Sequence, residues 1–155
     1  VVYPTGGEAA SQQAYKKLAR LLAGDKGLVK ADNVITETEA AQKSLFVLGG
    51  LENKLTASFL ANVPKNFSLK EGEFTVGNTA YRNTGDALFV AVRHPKGKGN
   101  GVALFYGIGA SAINNVGAKL PHYGKYGYLV FSAEKKVDSG TPAPADNPLQ
   151  RSLKN

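Results

Sequence analysis

The sequence predicts an α/β fold in three layers around a mixed sheet of about five or six strands, in one domain. Three observations carry this. Continuous apolar runs at Leu45-Phe46-Val47-Leu48, Ala87 to Val92 and Val102 to Tyr106 read as strands covered on both faces. Amphipathic stretches alternate with them along the chain. The 155 residues, 43% of them hydrophobic, are enough to enclose a core of that size.

Val1 to Pro4 is a short apolar run, and Thr5-Gly6-Gly7-Glu8 is a tight turn after it. Ala10, Ala14, Leu18, Leu21 and Leu22 then share one helical face, with Gln13, Lys16, Lys17 and Arg20 off it, and Gly24 and Gly27 end the helix. This is the opening of a β-α unit. Leu28 to Ala31 reads as a short strand, and Glu37 to Lys43 as a short helix behind a Thr36/Glu39 capping box. The strand Leu45 to Leu48 runs into Gly49-Gly50, and Leu51 to Ala61 reads as a helix with Leu55, Phe59 and Leu60 inward, stopped before Pro64.

From residue 67 to 81 the pattern changes to short apolar pieces around Glu71-Gly72 and Gly77-Asn78, an antiparallel hairpin insertion or a sheet edge. The glycine-rich turn at 96–101 is too short for a crossover helix, so the strands on either side of it pair antiparallel. A helix over Ser111 to Lys119 ends at Pro121, and Tyr126 to Phe131 is the last strand. There Tyr126 and Tyr128 are expected on one face and Leu129 and Phe131 on the other. The arrangement is Rossmann- or flavodoxin-like over residues 1–138. Residues 139–155, with Pro142, Pro144 and Pro148, read as an extended or disordered tail, dispensable for folding, with Leu149 and Leu153 as its largest apolar groups.

Composition removes several classes of function. Cysteine is absent, which excludes disulfides, thiol nucleophiles and thiolate-ligated metals. No apolar run approaches the roughly 20 residues of a spanning helix, so no membrane span is expected. The net charge of +7 is scattered, without a basic helix or an aromatic-basic signature, so nucleic acid is not the expected partner. Methionine is absent even at position 1, which fits a processed chain or a domain of a longer one.

Two glycine turns, Gly6-Gly7 and Gly49-Gly50, follow strands. If those strands are neighbours, their loops share one rim, where Thr5, Glu8, Glu52 and Asn53 are the polar groups and a small ligand fits. Glycine needed only to change direction explains these turns equally well. Gly107-Ile108-Gly109-Ala110-Ser111-Ala112 matches the glycine-rich dinucleotide turn and opens a helix. It departs from that pattern in following an antiparallel hairpin and in lacking an acidic residue at the end of the next strand; close helix-sheet packing is the plainer account. Ser111 also grazes a nucleophile elbow, but His94 and His122 are poorly placed to serve it, and a helix N-cap fits better. Asp25, Asp32, Glu37 and Glu39 read as solvated caps. No catalytic group, metal site or cofactor is expected.

The segment Leu120-Pro121-His122-Tyr123-Gly124-Lys125-Tyr126-Gly127-Tyr128-Leu129 holds three tyrosines, a histidine and two glycines beside a lysine. It is either a contact surface, through His122, Tyr123 and Lys125, or a connection whose rings cover the sheet edge. With Leu45-Phe46-Val47-Leu48-Gly49-Gly50-Leu51-Glu52-Asn53 it resembles the carboxy-terminal accessory domain of bacterial gluzincin zinc aminopeptidases, relatives of membrane alanyl aminopeptidase. The second segment is also similar to domains attached to esterase-like hydrolases. The resemblance implies a non-catalytic accessory module of a secreted or periplasmic hydrolase, whose partners are other domains of the same polypeptide. The zinc motif of such peptidases is absent here, so no peptidase activity is implied for this chain. A small-molecule module, for a nucleotide or phosphate, is the alternative from the glycine turns.

Overall fold

The computed structural model describes residues 1–97 and 99–141. In chain order its elements are β1 (Val2–Tyr3), α1 (Ala9–Ala23), β2 (Lys30–Ala31), α2 (Glu37–Ala41), β3 (Leu45–Leu48), α3 (Thr56–Phe59), β4 (Phe67–Lys70), β5 (Glu73–Val76), β6 (Thr79–Tyr81), β7 (Ala87–Arg93), β8 (Gly101–Gly107), α4 (Ala110–Asn115), β9 (Tyr128–Ser132) and β10 (Lys135–Gly140). A 3-10 turn at Leu60–Asn62 follows α3, and a longer 3-10 segment, Gly117–Tyr123, follows α4.

The class is mixed α/β. Seven strands form the main sheet in the order β10-β9-β7-β8-β3-β1-β2, and β4-β5-β6 form a separate antiparallel sheet. Strands β2, β1, β3 and β8 are parallel, while β7, β9 and β10 alternate in direction. The hairpin expected between β7 and β8 is present, with Ala87 opposite Gly107 and Arg93 opposite Gly101. Strand alternation sends Val47, Leu88, Val90, Val102, Leu104 and Val130 to one face, under Phe59 of α3 and the small sheet. Leu48, Ala87, Phe105, Leu129 and Phe131 go to the other, under Tyr15 and Leu18 of α1 and Ile113 of α4.

The sheet exceeds the expected five or six strands because the sequence hides β10. Lys135-Lys136-Val137-Asp138 has no apolar alternation, being an exposed edge strand whose hydrogen bonds to β9 hold it. Its hairpin turn uses Ala133 and Glu134 at positive φ, without the Asn-Gly signal that usually announces one. Ser139 and Gly140, expected in a tail, therefore lie in a strand; residues 142–155 lie outside the described residues.

Three helices are shorter than their periodicity implies. The capping box of α2 forms as read, but the helix stops at Ala41. The stretch expected to be helical from Leu51 is held in turns as far as Leu55. Here Asn53 donates from Nδ2 to the Leu48 carbonyl (2.7 Å) and accepts from Leu55 N (2.9 Å), and Thr56 Oγ1 donates to the Gly49 carbonyl (2.9 Å). After α4 the 3-10 segment continues through Pro121, the expected stop. Residues 67–81 make a three-stranded sheet laid over a face of the main one, an insertion and not an edge. Tyr126 precedes β9 and packs on the face opposite Tyr128, against the expectation that they share one; Leu129 and Phe131 do share a face.

Candidate functional site

Helix α1 follows β1 over one face, and α3 follows β3 on the other, where Phe59 packs. The loops leaving β1 and β3 therefore diverge from adjacent parallel strands, where an open α/β sheet has its ligand crevice. Gly6, Gly7, Gly49, Gly50 and Asn53 all stand at this rim.

The chain itself occupies the crevice. A Cβ on Gly6 would lie 2.7 Å from the Glu52 carbonyl oxygen, and one on Gly50 would lie 2.8 Å from the Tyr106 ring. Gly7 and Gly49 have φ of 86° and 103°, which other residues rarely adopt. Asp32, 4% exposed, joins the loops: Oδ1 accepts from Thr5 N (3.0 Å) and Thr5 Oγ1 (2.6 Å), and Oδ2 accepts from Lys54 N (2.9 Å). It is a buried tie between three segments, not the solvated cap read from sequence. Glu37 and Glu39 are cap-region carboxylates paired with lysines at the surface, as read. Glu8 is at the N-cap of α1 but makes no side-chain cap bond. The buried Asp86 does for the other side of the sheet what Asp32 does here, accepting from Arg82 N, Asn83 N, Ser132 Oγ and Ala133 N.

Glu52 fills the space between the glycines. Burial raises its carboxyl above the usual glutamate value, against the pull of its own N–H, the Gly50 N–H and the Tyr15 hydroxyl. Tyr15 is fully buried: its hydroxyl donates to the Gly107 carbonyl (3.0 Å) and accepts from Gly107 N (3.1 Å). Burial, and next the charge of Glu52, push its pKa well above 10. Burial and Glu52 also push Tyr106 up to about 12; its hydroxyl accepts from Gly72 N (3.0 Å), which anchors the small sheet to the rim. The rim thus offers one half-buried carboxyl among hydroxyls that stay protonated.

Gly107, Gly109 and Ser111 lie at the β8-α4 turn. A Cβ on Gly107 would come within 2.9 Å of Ile113, and one on Gly109 within 2.8 Å of Thr84, so both serve close packing. Gly109, not Ser111, is the N-cap. Ser111 donates to the Glu134 carboxylate across the β9-β10 turn, and Asn115 Nδ2 does the same at 3.0 Å. These two bonds hold Glu134 below the usual glutamate range. His94 follows the far end of β7 and is buried, its Nδ1 accepting from Lys96 N and Gly97 N. No histidine attends Ser111, and among the described residues no three His, Asp or Glu side chains gather as a metal site would need.

The chain leaves a different place open. On the α1 face, toward the starts of β3 and β8, a groove of about 380 Å³ is walled by Leu22, Phe46, Phe89, Leu120, Tyr123 and Tyr126. Register explains it: Phe46, Ala103 and Ala91 stand side by side on β3, β8 and β7. Ala91, exposed and small beside the Phe89 and Phe46 rings, is the strand residue that leaves the floor low. The 3-10 segment after α4 forms one wall of the groove, and Gly117 at its start lets α1 approach so closely that a Cβ would lie 2.4 Å from Leu18.

Of the residues expected to form a contact surface, Tyr123 walls this groove, half-buried with its ring edge-on to Phe131 at 5.8 Å. His122 and Lys125 are exposed beside it. Lys125 Nζ lies 5.2 Å from the Tyr126 ring centroid and Lys136 Nζ 4.9 Å. The two ammonium groups lower the Tyr126 pKa. Sequence reasoning missed Phe46, Phe89 and Ala91 because apolar residues inside strand runs read as core. The signal was Ala91, a small residue in an otherwise bulky strand run, and only register sets it beside Phe46 and the helical cover. No protein-family model, curated protein or solved structure matches this chain.

Proposed function

We propose that this domain is a non-catalytic docking module of a larger exported hydrolase, and that it holds a neighbouring domain of the same polypeptide through the groove between α1 and the 3-10 segment. The observation that carries the reading is an apolar, aromatic-walled groove that the chain's own helices leave uncovered. The resemblance of residues 120–129 and 45–53 to aminopeptidase accessory domains supports the hydrolase parentage, a zinc aminopeptidase in the first instance, and with it a secreted or periplasmic location. The finer fold reading, a three-layer Rossmann- or flavodoxin-like arrangement, draws support from the parallel order β2-β1-β3-β8 and from the apolar clusters on both sheet faces. Among the described residues no helix is long and apolar enough to cross a membrane.

The test supplies this chain and the remainder of its parent protein as separate pieces and measures their association. Ala91→Glu places a charge on the groove floor and should abolish association while the chain stays folded. Unchanged association would refute docking through this groove. The purified chain, assayed on aminoacyl and ester chromogenic substrates with and without zinc, should show no turnover; turnover lost on mutating one polar residue would refute the non-catalytic reading.

A second reading, small-molecule binding, draws support from the topology of the rim, where the loops after the adjacent parallel strands β1 and β3 diverge. The Glu52 carboxyl stands at the divergence of the β1 and β3 loops with its pKa raised by burial. A ligand taken there has to displace the Glu52 side chain. In a thermal-shift screen of nucleotides and sugar phosphates, a true ligand at a hundredfold its dissociation constant stabilises the fold by about 2.7 kcal/mol.

A further inference from the structure

We infer that the groove takes an acidic segment, one that presents adjacent apolar side chains followed by carboxylates. The inference rests on the docking reading above and goes further, to the chemistry of the partner. It stands on the charge around the groove. The wall residues Leu22, Phe46, Phe89, Leu120, Tyr123 and Tyr126 include no acid, so an apolar side chain entering it meets no opposing carboxylate. At the Tyr126 end two ammonium groups, from Lys125 and Lys136, stand over the same ring.

These two lysines come from different parts of the chain. Lys125 belongs to the turn after the 3-10 segment, and Lys136 to the edge strand β10. Both are exposed, and neither has a carboxylate partner among the described residues. The Tyr126 ring holds them near the groove mouth, since a cation over an aromatic face is attracted by the ring quadrupole. Both charges add positive potential at this end of the groove, and an incoming carboxylate is attracted by it. An aliphatic or aromatic anchor resting on Ala91 between Phe46 and Phe89, with carboxylates beyond it near Tyr126, satisfies both halves of the surface.

The probes are three capped peptides: Leu-Phe-Glu-Glu, its neutral counterpart Leu-Phe-Gln-Gln, and Ser-Ser-Glu-Glu. Each is titrated into the 155-residue chain and followed by backbone amide shifts. The expected result is saturable shifts at Leu22, Ala91 and Tyr126 with Leu-Phe-Glu-Glu. The neutral counterpart should bind about twofold to thirtyfold more weakly, the range for two exposed charge pairs. Ser-Ser-Glu-Glu should not saturate. Combining Lys125→Gln with Lys136→Gln, both at exposed positions, should erase the preference for the acidic peptide and leave the fold's spectrum intact. Equal binding of the acidic and neutral peptides would overturn the acidic-partner inference and leave docking standing. Saturation by Ser-Ser-Glu-Glu would overturn it too, because charge alone would then suffice. If no peptide shifts the groove residues, the inference falls, while the association measurement with the parent's other piece decides docking separately.

Discussion

The rim and the groove lie toward opposite ends of the same parallel strands, and they differ in what fills them. At the rim the glycines admit backbone and a glutamate side chain from the chain itself, and Asp32 ties the joint with three hydrogen bonds. At the groove Ala91, between larger side chains, leaves space that nothing in the described chain enters. Glycine gives freedom of approach, and a folding chain uses that freedom first for its own packing. Small residues between large ones on a sheet face leave an apolar hollow, which a helix or a partner must cover. The rim has the topology of a binding site and the packing of a core; the groove has the reverse.

The comparison is broken most easily at Asp32. Asp32→Ala leaves three donors without their acceptor, two of them backbone N–H groups, and should cost about 3 kcal/mol. For a domain of this size that lowers the thermal midpoint by roughly 6–12 °C, measured by calorimetry. A loss of a degree or less would mean that the loops are not held by this carboxylate.

Gly6→Ala tests close approach without touching a hydrogen bond. A backbone oxygen 2.7 Å from the new methyl cannot rotate away as a side chain would. The expected loss is about 1–3 kcal/mol in denaturant unfolding. A neutral outcome would show that the rim is slack enough to admit a ligand, which would favour the small-molecule reading.

Glu52 adds a pH dependence whose sign is fixed. Its folded pKa is raised, so below the unfolded value near 4.5 the protonated carboxyl carries no penalty, and above the folded value the burial of its charge destabilises the fold. Glu52→Gln should raise the thermal midpoint at pH 7 modestly, and the gain should shrink toward nothing at pH 4. A gain that persists at pH 4 would assign the effect to packing and not to charge.

At the groove the same measurement should show almost nothing. Ala91→Leu enters open space and should change stability by no more than about 0.5 kcal/mol. It should weaken docking by filling the site. Tyr123 does not belong with such neutral positions, because its ring packs on Phe131. A stability loss at Ala91 equal to that at Gly6 would erase the distinction between the two regions.

How much of this was legible in the sequence follows from which forces are local. The strand β3, the capping box of α2, the hairpin β7-β8 and the glycine turns Gly6-Gly7 and Gly49-Gly50 all came from patterns a few residues long, while the sharing of one rim by the two turns waited on the pairing of β1 with β3. Those patterns are set by side-chain alternation, backbone donors and permitted φ. The edge strand β10 escaped because its cohesion is hydrogen bonding to β9, which carries no apolar signature, and because Ala133 and Glu134 turn the chain without glycine. Asp32 looked like a surface cap because burial depends on what folds over a residue. The helix expected from Leu51 gives way to short-range bonds that Asn53 makes to Leu48 and Leu55 and Thr56 to Gly49, side-chain competition that apolar periodicity does not register, while Gly117 after Asn115 meets Leu18 only in the folded chain.

The sequence by itself determined the mixed α/β class, the order of most elements, the absence of thiol chemistry, and the glycines on which the rim closes. Each depends on composition or on neighbours along the chain. Only the tertiary structure decided that the rim is shut and that the hollow lies elsewhere. Phe46, Ala91 and Ala103 are far apart in sequence and become one surface through the register of β3, β8 and β7. Lys125 and Lys136 meet over Tyr126 only because β10 folds back along β9. Register is fixed by the burial of whole sheet faces at once, and no local stretch of the chain contains that information.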